Sequence, residues 1–280
     1  MALTKPARSS KSTSTGNSEV PWGLPREIAE SEEAPHGVNA SLFGYAGCGK
    51  TTLLASGTSA SSGQPMLIVN FDPDQQSIKH RTDLQVWPKK GRLTWDRIDT
   101  FTARLLTGKH PFKTLGFDTG NNLYRVALRH VKAKGSDRRD PRQIFGEAND
   151  MVNALIIDFA VLSQEQGINV IWAWHAEDVF EGTGDSVRQF VRPDATPGVL
   201  KTIYQYSATI GYLEERTGGK RRLYLHNTPK VIAKVHQPPD EGAVATEIDE
   251  PNLGRLIDHL RGVAKYGATK SASALRSKAG

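Results

Sequence analysis

Eight consecutive residues, Gly44-Tyr45-Ala46-Gly47-Cys48-Gly49-Lys50-Thr51, have the types and spacing to hold a chain of phosphates. They fit G-x-x-x-x-G-K-[ST], the P-loop pattern. Gly44 and Gly49 bracket a loop whose backbone N–H groups turn inward around an anion. Glycine suits those places because side chains would block the phosphates and the loop visits positive φ. Lys50 supplies a point charge for the β- and γ-phosphates, and Thr51 a hydroxyl for Mg²⁺. Lys50, Thr51 and Thr52 open a helix whose positive end faces the same phosphates. The context fits, because an apolar-biased run, Val38-Asn39-Ala40-Ser41-Leu42-Phe43, precedes the loop and reads as a strand. Cys48, the only cysteine, excludes an internal disulfide; a small side chain is what the loop needs there, with a redox role as the alternative.

Other polar residues fall at the ends of apolar runs. Pro65-Met66-Leu67-Ile68-Val69-Asn70-Phe71 reads as a buried parallel strand and ends at Asp72-Pro73-Asp74. Carboxylates at the C-terminal end of such a strand face the ligand crevice of an open α/β sheet. Asp74 or Asp72 can orient an attacking water there, while a Pro-Asp turn with a helix cap would use the same residues. Lys113-Thr114-Leu115-Gly116-Phe117 leads to Asp118, which has the form of a Walker B acid that holds Mg²⁺. Gly167-Ile168-Asn169-Val170-Ile171-Trp172-Ala173-Trp174 leads to His175, either a sensor of the γ-phosphate or a structural histidine.

These residues need a sheet whose strands end together. The sequence predicts further short strands at residues 92–95, 208–213, 222–226 and 230–235, the second and third paired through a turn at residues 217–221. Helices are expected from Asp96 to Leu106 and over residues 121–131, 151–162 and 252–263. Residues 132–142 read as a basic loop, and 176–198 as a long polar loop carrying Arg188 and Arg192. Strands alternating with helices give an α/β fold: a mostly parallel twisted sheet flanked by helices, with an antiparallel C-terminal extension.

The 280 residues divide by composition into a Ser/Thr/Lys-rich disordered tail (1–36), a domain (37–263) and a basic disordered tail (264–280). A net charge of +6 is compatible with nucleic acid but does not require it. No apolar run approaches the ~20 residues of a membrane span. With one cysteine and no signal-peptide pattern, a cytoplasmic protein is expected.

The order of these pieces, together with Arg192-Pro193-Asp194-Ala195-Thr196-Pro197-Gly198, resembles the phage-encoded, RecA-like ATPases of the Sak-four single-strand annealing type, over residues 38–235. The resemblance implies a RecA-like P-loop core that uses ATP and Mg²⁺. Its catalytic residues would be Lys50, Asp74, Asp72, Asp118 and His175, with Asp74 standing where the family has a longer glutamate. It implies single-stranded DNA as partner, met by the segment after His175 with Arg188, Arg192, Lys220 and Arg221. It implies also a homo-oligomer, a single-strand-binding protein as second partner, and a place in the host cytoplasm. Lys230 and Lys234 fall where relatives reach a neighbouring subunit's nucleotide. A helicase-loader type of accessory ATPase, a small-molecule phosphotransferase and a non-hydrolysing nucleotide switch remain open beside it.

Overall fold

The computed structural model describes residues 36–72, 78, 80–89, 91, 93–135, 140–182, 187–235 and 246–263. Asp74 and, His36 apart, both expected tails lie outside the described residues.

The chain runs β1 (Asn39–Gly44), α1 (Lys50–Ala55), a 3-10 turn (Ser56–Ser59), β2 (Met66–Asn70), β3 (Gln85–Trp87), α2 (Trp95–Leu106), β4 (Thr114–Asp118) and α3 (Gly120–Ala133). It continues with α4 (Pro141–Gln166), β5 (Asn169–Glu181), β6 (Arg188–Pro193), α5 (Pro197–Tyr206), β7 (Thr209–Glu215), β8 (Arg221–Tyr224), β9 (Lys234–Val235), β10 (Glu247–Asp249) and α6 (Leu253–Leu260).

Six strands lie parallel in the order β7-β1-β5-β4-β2-β3, which puts β5 between the P-loop strand and the strand that ends in Asp118. Beyond β7 the sheet turns antiparallel through β8 and β10, and β9 also pairs antiparallel with β7. This is the mostly parallel α/β sheet with a C-terminal antiparallel extension that the sequence predicts.

The central strands are apolar on both faces because both faces are covered. Alternation decides which side each residue serves. Phe43, Leu67, Val69, Phe117, Trp172 and Trp174 face a core shared with α2, α3, α4 and α5. Leu42, Met66, Ile68, Ile171 and Ala173 face the opposite core, closed by α1 and α6. Phe117 stacks on Trp172 with centroids 4.1 Å apart, so β4 and β5 are locked side by side just before Asp118 and His175.

Several expectations are corrected. Of the strand expected over residues 92–95, the described residues 93–95 form none: Thr94 is the N-cap and Trp95 the first residue of α2. The basic loop ends sooner than expected, since Asp140 caps α4 by accepting the Arg142 N–H (2.9 Å) and Pro141 starts the helix. Within the expected loop over 176–198, residues 176–181 and 188–193 instead pair as antiparallel strands, and Pro197 and Gly198 open α5. β5 continues past His175 to Glu181 and pairs with β6 from Ala176↔Pro193 to Glu181↔Arg188. Of the strand expected over residues 230–235, only β9 and a bridge at Val231 form.

Candidate functional site

The C-terminal ends of β1 and β4, with β5 where it passes them at His175, bring Gly44, Lys50, Thr51, Asp118 and His175 together. In register, Gly44 stands beside His175 and Asp118 beside Ala173, so loop, acid and histidine share one edge. The loop between β1 and α1 holds Gly47 at φ 82° and Gly49 at φ 94°, left-handed conformations that glycine adopts without a Cβ clash. Tyr45, Ala46 and Gly47 are exposed, as is Thr52 one turn on.

Lys50 is only 7% exposed and is held by the loop itself. Its Nζ donates to the carbonyls of Gly44 (2.9 Å) and Tyr45 (2.7 Å). Burial pushes the ammonium below the ordinary lysine value, while Cys48, Asp118 and Asp72 pull it back up. Thr51 Oγ1 donates to Asp118 Oδ2 at 2.6 Å. The other oxygen, Asp118 Oδ1, is buried and has no hydrogen-bond partner. Burial raises the Asp118 carboxyl above its usual range, against the Thr51 hydrogen bond and the Lys50 charge.

An orphaned carboxylate oxygen beside a hydroxyl is a hard-oxygen donor set, and it fits Mg²⁺. Among the described residues no group of three or more His, Cys, Asp and Glu could hold a metal by itself. Thr51 and Asp118 would hold such an ion, with phosphate and water completing its shell.

Asp72 lies next to this pair. Its N–H donates to Asn70 Oδ1 (2.8 Å) and the Asp118 carbonyl (3.3 Å), and its charge acts on Lys50, Asp118 and His175. His175 is half-buried, and burial with the Lys50 charge pushes its imidazole below the usual value, so it is mostly neutral at pH 7. Asn121, the second residue of α3, was not singled out from sequence. Its Oδ1 accepts the His175 N–H (2.7 Å), and its Nδ2 donates to the Asp194 carbonyl (2.6 Å) and Oδ2 (3.0 Å). A polar residue three positions after the Walker B acid was the available signal.

The arginines divide into two places. Arg188 and Arg192 lie on the β5–β6 hairpin, where Arg192 Nε pairs with Glu177 Oε1 at 2.7 Å and Arg188 sits 5.2 Å over the Phe190 ring. Phe180, near the end of β5, is 64% exposed. Lys220 and Arg221 lie on the far side of β1, at the β7–β8 turn, with Lys220 exposed and Arg221 half-buried. Lys234 Nζ donates to the Tyr204 carbonyl of its own chain (2.6 Å). Tyr45 packs edge-on to Tyr212 (6.3 Å between centroids), and burial with the nearby Asp178 carboxylate of β5 pushes its phenol up to about 12.

Cys48 is 2% exposed, and burial raises its thiol despite the nearby Lys50 and Arg221 charges. The thiolate fraction at pH 8 is therefore below that of a free cysteine, which disfavours the redox role. Labelling of the native protein with a disulfide reagent at pH 8 is expected to be at least tenfold slower than in denaturant; equal rates would contradict this placement.

A parallel sheet with a glycine loop, a buried lysine and a threonine–carboxylate pair at its strand ends defines a P-loop ATPase. The chain belongs to the AAA domain family (AAA_24), whose family model matches residues 36–235. No curated protein sequence matches it. It is similar to the crystal structure of the RadB recombinase at 14% identity, covering 69% of this chain and 81% of that one with a TM-score of 0.41. No described helix is long and apolar enough to cross a membrane.

Proposed function

We propose that the chain is a RecA-like ATPase that acts on single-stranded DNA in recombination, annealing or replication, as a homo-oligomer. One observation carries the reading. β5 passes the P-loop at His175, in register with Gly44, and the same strand then leaves the sheet as a hairpin with exposed Phe180 and Arg188. An exposed aromatic ring beside an exposed arginine is chemistry that can stack a base and meet a phosphate without reading sequence, on a hairpin that also carries Glu177, Asp178 and Glu181.

Hydrolysis in this site rests on positioning and charge. Lys50 offsets the charge that develops on the transferring phosphoryl group. Bound Mg²⁺ would supply further charge neutralisation and would be held by Thr51 and Asp118. Asp72 faces the same space and orients the attacking water. His175, fixed through its backbone by Asn121, reports on that end of the site to the hairpin.

The test is ATP turnover with and without single-stranded DNA, with Lys50→Ala as blank. A rise of about tenfold or more on adding DNA, lost in the blank, supports the proposal. Turnover indifferent to DNA sinks the DNA reading and leaves an ATPase with another partner.

A further inference from the structure

Arg221 has a place that neither the motif nor the hairpin explains. A Cβ on Gly49 would overlap Arg221 Nε and lie 2.6 Å from Cζ and 2.9 Å from Nη2. The guanidinium thus fills the space beside the P-loop that a side chain at residue 49 would take.

The neighbouring arginines are neutralised. Arg216 pairs with Glu214 (3.2 Å), and Arg222 with Glu247 and Asp249 (2.6 Å each). Among the described carboxylates none forms an ion pair with Arg221. The same residue is clamped at its backbone. Its N–H donates to Glu250 Oε1 (3.0 Å), and its carbonyl accepts the Glu250 N–H (2.8 Å). Glu250 holds φ 47°, the left-handed region that side chains rarely adopt. Such a conformation persists only where its surroundings hold it, and here it goes with two bonds that fix the arginine's backbone.

The strand order β8-β7-β1-β5-β4 gives the direction. Asp118 and His175 lie on one side of the P-loop strand and mark the γ-phosphate end. Arg221 lies on the other side. We propose that Arg221 binds the α-phosphate end of the nucleotide held by its own P-loop, and that Glu250 is its positioning residue. The proposal rests on the nucleotide reading of the P-loop and is independent of DNA.

Calorimetric titration of ADP and of a non-hydrolysable ATP analogue, both with Mg²⁺, tests it. Arg221→Ala is expected to raise both dissociation constants by the same factor, about 10- to 100-fold, the worth of one or two charge-assisted hydrogen bonds. Arg221→Lys recovers only part, because the ammonium lacks the planar fork. Glu250→Ala, which keeps the guanidinium but frees the clamp, weakens both ligands by a smaller common factor. An ADP constant within about twofold of wild type in Arg221→Ala overturns the proposal. So does a loss confined to the ATP analogue, which would put the arginine at the γ-phosphate. A wild-type protein that binds neither ligand refutes the nucleotide reading itself, and the assignment of Arg221 with it.

Discussion

Lys50→Ala is expected to lower the rate of ATP hydrolysis by about 10²–10³-fold or more, the scale seen when one preorganised donor is removed from a transition-state charge. The lysine is fixed before any nucleotide arrives, by two carbonyls of its own loop at 2.9 and 2.7 Å. Little reorganisation is then left to the reaction, so the loss falls on turnover as well as on binding. Burial also lowers its ammonium from the ordinary lysine value in the nucleotide-free protein, so kcat/KM, which reports the free enzyme, is expected to fall at an alkaline pH below that value. A pH–rate profile in which the alkaline limb lies at or above the value of a free lysine would contradict that assignment. A thermal melt of the apo variant close to wild type keeps the loss a catalytic one.

Asp118→Asn is expected to cost a similar factor in Mg²⁺-dependent turnover while leaving the apo protein as stable as wild type at neutral pH, or more so. The sign follows from the raised carboxyl. A folded-state value above the unfolded one gives stability that is full at pH below the ordinary carboxylate range and is lost as pH rises through the folded value. At neutral pH the buried charge is therefore a standing cost, borne for the metal. Asparagine keeps the shape and can keep a hydrogen bond to Thr51 without the charge. Melting curves with and without Mg²⁺ and ADP provide the check: ligand should raise the melting temperature of wild type more than that of the variant. A variant that is both active and less stable would overturn the metal-holding role of Asp118.

The P-loop was legible because its chemistry is local: eight residues carry their own backbone demand, visible as Gly47 and Gly49 at positive φ. Asp118 and His175 were legible for a related reason. In a parallel sheet every strand delivers its last residue to the same edge, so finding the apolar runs also placed their ends. The hairpin was hidden because residues 176–198 are polar and glycine-containing. Their pairing comes from β5 overrunning the sheet, which local hydropathy does not record. Residues 92–95 misled through Leu93 and Trp95, which are buried by α2 and the core beside it rather than by strand pairing. The division between Arg221 and Arg192 lay in the strand order. Both follow turn-like segments, yet they end on opposite sides of β1.

The closeness of Tyr45 to the Asp178 carboxylate has a thermodynamic consequence. One residue belongs to the loop that wraps phosphate, and the other to the strand that leaves the sheet. Two ligands that each shift this contact share a single coupling free energy, and the exchange is reciprocal: whatever factor nucleotide imposes on affinity at the hairpin, an occupant of the hairpin returns to the nucleotide. Even a full hydrogen bond from the phenol to a carboxylate, about 1.5–3 kcal/mol, limits that factor to roughly 10- to 150-fold. Through this contact the protein can be a graded responder, and an all-or-none switch would need further contacts moving with it.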